Sequence, residues 1–214
     1  MPADFTLPQL IALAATLGFA SGVRLYAVVL IVGLVGYAGW VALPGGLSVL
    51  ANPWVIGVST LLFGAEFFAD KIPGLDSLWD GLSTFVRIPG GALLAASVFG
   101  IDHAALAAIA AIAGGSLAAT SHLAKSGTRA AINTSPEPFS NVLMSLAEDL
   151  GIAGLMWLAF EHPWIALLAV TVLLVFAVWL IVKFARLIRR ILAGVRGAPA
   201  ADPIPASRST MKDV

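Results

Sequence analysis

The chain has 214 residues, of which 59% are hydrophobic and only 11% charged, and its twelve basic and twelve acidic side chains balance to zero. A soluble core of this length cannot absorb so much apolar surface, and zero net charge excludes the basic field that would mark a nucleic-acid partner. The absence of cysteine excludes disulfides, thiolate metal sites and cysteine nucleophiles, and leaves the redox compartment open.

Apolar stretches between polar or Gly/Pro breaks predict an all-α, polytopic transmembrane helix bundle of about seven spans. The first, at about 5–20, ends on Phe19-Ala20-Ser21-Gly22, which resembles a signal-peptide cleavage site. No Lys or Arg precedes it and the same stretch recurs inside the chain, so it is read as a span. The second, 23–43, holds a run from Leu25 to Leu43 without a charge, close to the ~20 residues that cross a bilayer. The third is 53–69. The fourth, 79–101, is interrupted by Arg87, Pro89, Gly90 and Gly91, which predicts a kink or a tightly packed small-residue contact. The fifth to seventh are 103–122, 139–160 and 163–184, and 197–214 reads as a disordered cytoplasmic tail.

Orientation follows from the basic residues. Lys183, Arg186, Arg189 and Arg190 follow the last span and place the C-terminus in the cytoplasm, with the N-terminus outside. Seven spans then gather all twelve basic residues on one side, whereas six or eight would scatter them. Trp40, Trp54, Trp157 and Trp164 fall near the outer ends, as an aromatic belt does.

A near-repeat organises these spans. Leu13-Ala14-Ala15-Thr16 leads into Ala20-Ser21-Gly22-Val23-Arg24, and Leu117-Ala118-Ala119-Thr120 leads into Ala124-Lys125-Ser126-Gly127-Thr128-Arg129. Asn52-Pro53-Trp54 and His162-Pro163-Trp164 then follow at corresponding places. The expected plan is a 3+1+3 arrangement within a 1–190 membrane domain: repeat 1 over 5–69, a linker helix over 79–101, and repeat 2 over 103–184. Both copies enter from the same side and end at an S-G-x-R turn, so they are parallel. The plan is similar to that of the SWEET transporters, a likeness that extends to neither sequence nor substrate.

Ionisable residues inside spans carry the functional reading, because a charge there is costly unless paired or facing water. Glu66 and Asp70 share a helix face near the end of the third span, with Lys71 adjacent. Asp76 and Asp80 follow, also four apart. Together Glu66, Asp70, Asp76 and Asp80 offer oxygen ligands for a hard cation, although Asp76 equally suits a helix N-cap and Asp70 a surface pair with Lys71 or Arg87. Asn141, Ser145 and Glu148 form a polar stripe on the sixth span, and Glu148 lies about ten residues in, roughly 15 Å from the helix start. It is read as a binding or coupling carboxylate, or else as a helix lock through Arg24, Arg129 or Lys125. His122, Lys125 and Arg129 make either an anion-attracting group or ordinary residues of the cytoplasmic face.

Three motifs in order, Glu66-Phe67-Phe68-Ala69-Asp70-Lys71-Ile72-Pro73-Gly74-Leu75-Asp76, Arg87-Ile88-Pro89-Gly90-Gly91 and His122-Leu123-Ala124-Lys125-Ser126-Gly127-Thr128-Arg129, resemble a bacterial integral membrane family catalogued as domain-of-unknown-function family 4126. The likeness covers about residues 8–185. It implies that Glu66, Asp70, Lys71, Pro73, Asp76, His122, Lys125 and Arg129 are family marks, and implies no activity.

The expected function is a bacterial inner-membrane transporter or channel for a small solute or ion. Glu148 and Glu66 act as protonatable or cation-binding groups, balanced by Arg24 and Arg129. The partners are the bilayer and the solute, with no nucleic acid and no cofactor, and homo-oligomerisation is left open. The alternatives are a metal-dependent membrane enzyme acting on lipid and a non-transporting scaffold. No HExxH, GxSxG or cysteine nucleophile supports the enzyme.

Overall fold

The computed structural model describes residues 5–72, 74–101, 103–134 and 138–196. Pro73 and the tail 197–214, both named above, lie outside these. The described residues form six α-helices and one 3-10 segment: α1 (Leu7–Tyr37), the 3-10 segment Gly45–Ala51, α2 (Pro53–Ala69), α3 (Leu75–Ser97), α4 (Ala104–Ile132), α5 (Pro138–Glu161) and α6 (Pro163–Arg196).

Helix starts follow local chemistry. Thr6 and Gln9 form a capping box on α1, with Gln9 Oε1 accepting from the Thr6 backbone N–H at 2.8 Å. Asn52 Oδ1 accepts from the Trp54 N–H at 2.9 Å, and Pro53 fills the first turn of α2 where no N–H is needed. The second Pro-Trp pair, Pro163-Trp164, likewise opens α6.

α1 is the centre of the bundle. It touches every other helix, and 61% of its most apolar stretch is buried, against 17% for α6. It is also broken: Arg24 has φ −147° and ψ 74°, outside the helical region. Phe5 and Gln9 from the start of α1 line the same cavity as Gly36 and Gly39 from its end. A straight helix of 31 residues would hold those ends about 45 Å apart, so the chain doubles back at Arg24. The predicted spans 5–20 and 23–43 are thus two limbs, 7–23 and 25–37, of one interrupted helix.

The second S-G-x-R segment behaves differently, and the expected turn there is corrected: α4 runs unbroken through Ser126, Gly127 and Arg129 to Ile132. A Cβ on Gly127 would sit 2.8 Å from the Phe184 ring of α6, so this glycine serves close helix packing instead of a reversal. The same contact sets Lys183 and Arg186 of α6 at the end of the bundle where Arg24 and Arg129 lie, hereafter the charged end.

Helices α1, α3 and α4 pack through small residues. A Cβ on Gly18 would lie 2.6 Å from Gly114 Cα, one on Gly91 would lie 2.6 Å from Ala118 Cβ, and one on Gly114 would lie 2.9 Å from Gly91 O. Such backbone approach is how helices associate where lipid removes the hydrophobic drive between them. Pro89 lies within α3, and the packed small-residue contact expected there is found at Gly91.

By length and apolarity, four helices suffice to cross a membrane, α1, α4, α5 and α6, and five if the 3-10 segment and α2, which meet at 75°, count as one broken span. The seven-span expectation exceeds this for physical reasons. It counts the two limbs of α1 separately, and it includes α3, which carries Asp76, Asp80 and Arg87. Large apolar side chains, among them Trp54, Leu61, Phe85, Ile112, Leu150 and Val175, face outward, as expected for a surface meeting lipid. Trp40, Trp157 and Trp164 are exposed as well.

Candidate functional site

The break at Arg24 is buried inside the protein, with the Arg24 side chain fully enclosed. Non-helical backbone buried away from water needs hydrogen-bond partners, and α4 supplies them. Ser121 Oγ donates to Phe19 O at 2.7 Å and Lys125 Nζ donates to Val23 O at 3.1 Å, satisfying carbonyls at the end of limb 7–23, where the helix dipole favours a cation.

Around this break three cations share two carboxylates. Arg24 Nη1 lies 2.8 Å from Asp70 Oδ2 and its Nη2 lies 3.4 Å from Glu148 Oε2. Lys125 Nζ reaches the same oxygens at 3.1 and 3.3 Å, and Arg129 Nη2 at 3.4 and 2.9 Å. Arg129 Nη1 also donates to Asp70 O at 2.6 Å, and Arg24 Nε faces Asp149 Oδ1 at 3.2 Å. The polar stripe on α5 joins in: Ser145 Oγ accepts from Arg24 Nη2 at 2.9 Å, while Asn141 Nδ2 donates to Asn133 Oδ1 of α4 at 2.8 Å.

A second group adjoins the first. Arg87 of α3 binds Glu66 of α2 through Nη2 and Asp80 through Nη1 at 2.7 Å, and Asp80 also lies 3.6 Å from Lys125. Arg87 Nη1 faces His122 Nδ1 at 3.2 Å. A guanidinium only donates, so Nδ1 accepts and the imidazole proton sits on Nε2, 2.7 Å from Thr84 Oγ1. Thr84 passes its own hydrogen to Asp80 O at 2.9 Å. His122 is thereby fixed as the neutral Nε2–H tautomer.

The structure brings Arg24, Glu66, Asp70, His122, Lys125, Arg129, Ser145 and Glu148 into one buried network, with Asn141 at its edge. Lys71 sits at the margin of the network. It makes no ion pair among the described residues, donates to Phe67 O at 3.0 Å and to Ser145 Oγ at 3.4 Å, and lies over the Phe67 ring. Loss of hydration there pulls its pKa below the ordinary lysine value, opposed by the nearby Asp149 carboxylate. The anion-attracting role considered for His122, Lys125 and Arg129 is not what the geometry offers, since each is already engaged.

The proposed cation cage is likewise corrected. Asp76 turns away to accept from the Gly74 and Ser77 N–H groups and from Asn133 Nδ2 at 2.9 Å, and no group of three or more His, Asp or Glu among the described residues is disposed to hold a metal. Gly74, with φ 86°, occupies the N-cap position that suited Asp76, and Asp76 braces the first turn instead.

Sequence reasoning undervalued Arg87, which appeared there as an interruption or a surface partner. It is completely buried and bridges two carboxylates. A basic residue inside a predicted span was itself the signal.

A cavity of about 240 Å³ between limb 7–23, α4, α5 and α6 reaches Lys125 and Glu148, with walls that include Phe19, Met144, Leu155 and Phe176.

A family model described as a domain of unknown function (DUF4126) matches residues 11–183. The chain belongs to that family. All three motifs and the whole charged network of this DUF4126 member fall inside the matched residues. No curated protein and no solved structure matches the chain.

Proposed function

We propose that this protein moves a small solute or ion across a membrane, with the shared carboxylates Asp70 and Glu148 as the groups that change partners. The observation carrying this reading is the interrupted helix α1. Its break is buried and its arginine is held by carboxylates from α2 and α5, the kind of discontinuity at which transporters bind their cargo. The cavity ending on Glu148 gives the site a route to the outside of the bundle. In this reading the halves 5–69 and 103–184 are parallel modules joined by α3. Arg24 and Arg129 exchange carboxylates as the modules rock. The charged end faces the cytoplasm, as the basic residues of α6 favour.

A scaffold is the second reading, favoured by the pairing of Asp70 and Glu148 with three cations. Reconstitution of the full chain in liposomes separates the two, with internal pH and membrane-potential dyes reporting flux. Dissipation of an imposed ion or solute gradient, slowed at least about tenfold by Glu148→Gln in protein that remains folded at the assay temperature, supports transport. Liposomes that stay tight, together with a Glu148→Gln form indistinguishable from wild type in cells, overturn it in favour of the scaffold.

A further inference from the structure

At the end of the bundle opposite the charged network, a cavity of about 800 Å³ opens between the two ends of α1 and the corner joining α5 to α6. That volume is in the range of small-molecule sites. We propose that this cavity binds an organic ammonium ion. Its walls carry three aromatic side chains, Phe5, Trp40 and Phe160, together with Gln9, and Glu161 is the only charged residue among those lining it.

Charge selects the ligand class. Glu161 makes no ion pair among the described residues, whose lysines and arginines belong to the network, to the α2–α3 connection or to the far half of α6. An anion entering here meets a carboxylate with no lysine or arginine among the described lining residues, whereas a cation meets that carboxylate among aromatic side chains. Aromatic walls with one carboxylate suit an alkylated ammonium better than a metal ion, because the alkyl groups cover apolar wall while the charge interacts with the ring quadrupoles. Gln9 Oε1 is committed to Thr6, so its amide N–H₂ remains as a donor for a hydroxyl on the ligand.

Both a free amine and the ammonium headgroup of a lipid have this chemistry. Calorimetric titration of the purified full chain with choline chloride, in nanodiscs of phosphatidylglycerol alone, is expected to give saturable binding that sodium chloride does not. Glu161→Gln and Trp40→Leu each weaken it at least about tenfold while leaving thermal stability unchanged. Repetition in discs containing phosphatidylcholine distinguishes the sources: unchanged affinity assigns the site to a free solute, and competition assigns it to a headgroup. Choline heats equal to those of sodium, or wild-type affinity in Glu161→Gln, overturn the proposal. Binding does not depend on flux, so tight liposomes with intact choline binding would remove the transport reading alone.

Discussion

Arg24 and Arg129, one from each S-G-x-R segment, close on the same two carboxylate oxygens, Asp70 Oδ2 and Glu148 Oε2. Lys125 bridges the same pair, so three positive charges from α1 and α4 meet at one node on single oxygens of Asp70 and Glu148, with Asp149 also facing Arg24.

The two carboxylates are not equivalent. Asp70 is fully buried, whereas the Glu148 side chain is 9% exposed, beside a cavity that can admit water. Asp70→Asn is expected to destabilise the protein by about 3–5 kcal/mol, the cost of leaving buried charge unpaired. Glu148→Gln costs distinctly less. Unfolding in detergent, followed by helical circular dichroism, measures both, and an equal loss would contradict the asymmetry.

Arg87 joins α2 to α3 through Glu66 and Asp80. Arg87→Leu leaves buried Glu66 without its cation and Asp80 with Lys125 alone, and is expected to cost about 3–5 kcal/mol. Adding Glu66→Gln to Arg87→Leu recovers part of that loss, because the neutral amide no longer requires a cation. A double-mutant cycle without coupling would show that the bridge contributes nothing.

The tautomer of His122 has a spectroscopic consequence. Nitrogen-15 spectra of the folded protein at neutral pH are expected to show an unprotonated Nδ1 and a protonated Nε2 for this ring. A proton on Nδ1 would place two donors face to face, so its observation would mean that Arg87 is elsewhere.

Close packing at Gly18 and Gly114 predicts that Gly18→Ala destabilises by about 1–3 kcal/mol, since the added methyl meets backbone that cannot move aside as a side chain would. Gly57→Ala, where no atom lies within 4 Å of the added carbon, is the control and is expected to be neutral or slightly stabilising. Thermal midpoints of the two variants check the contrast.

Lys71, outside the helices and partly dehydrated, releases its proton at lower pH than an ordinary lysine. Because the neutral amine is the nucleophile, an acylating reagent at mildly alkaline pH is expected to modify Lys71 faster than the more exposed Lys183. Mass spectrometry of the digested protein compares the rates. Since the charged form is the one disfavoured by folding, the penalty at Lys71 is fully present below its folded pKa and is relieved as pH rises through it.

Helix positions were legible from apolar periodicity and from Pro-Trp starts, and the charged residues of the site were legible because charges in apolar segments stand out. What the residues did not reveal was geometry. Ser21-Gly22-Val23-Arg24 and Ser126-Gly127-Thr128-Arg129 look alike, yet one interrupts its helix and the other continues: the carbonyls at the first break are held by Ser121 and Lys125 of α4, whereas Gly127 packs against Phe184 within an unbroken helix. Asp76 was grouped with Glu66 by spacing alone. Its partner Asn133 lies far along the chain, so only the packing of α3 on α4 separates these carboxylates.

Helix α3 begins with Asp76 and Asp80 and holds Arg87 at its midpoint; Arg87 and Asp80 pair within the helix, and the remaining partners, Glu66 on one side and Lys125 and Arg129 on the other, belong to α2 and α4. Left to partition into lipid singly, it would be rejected. If the bundle enters a bilayer, α3 is expected to wait for α4, so that the two enter as a pair whose charges are already matched.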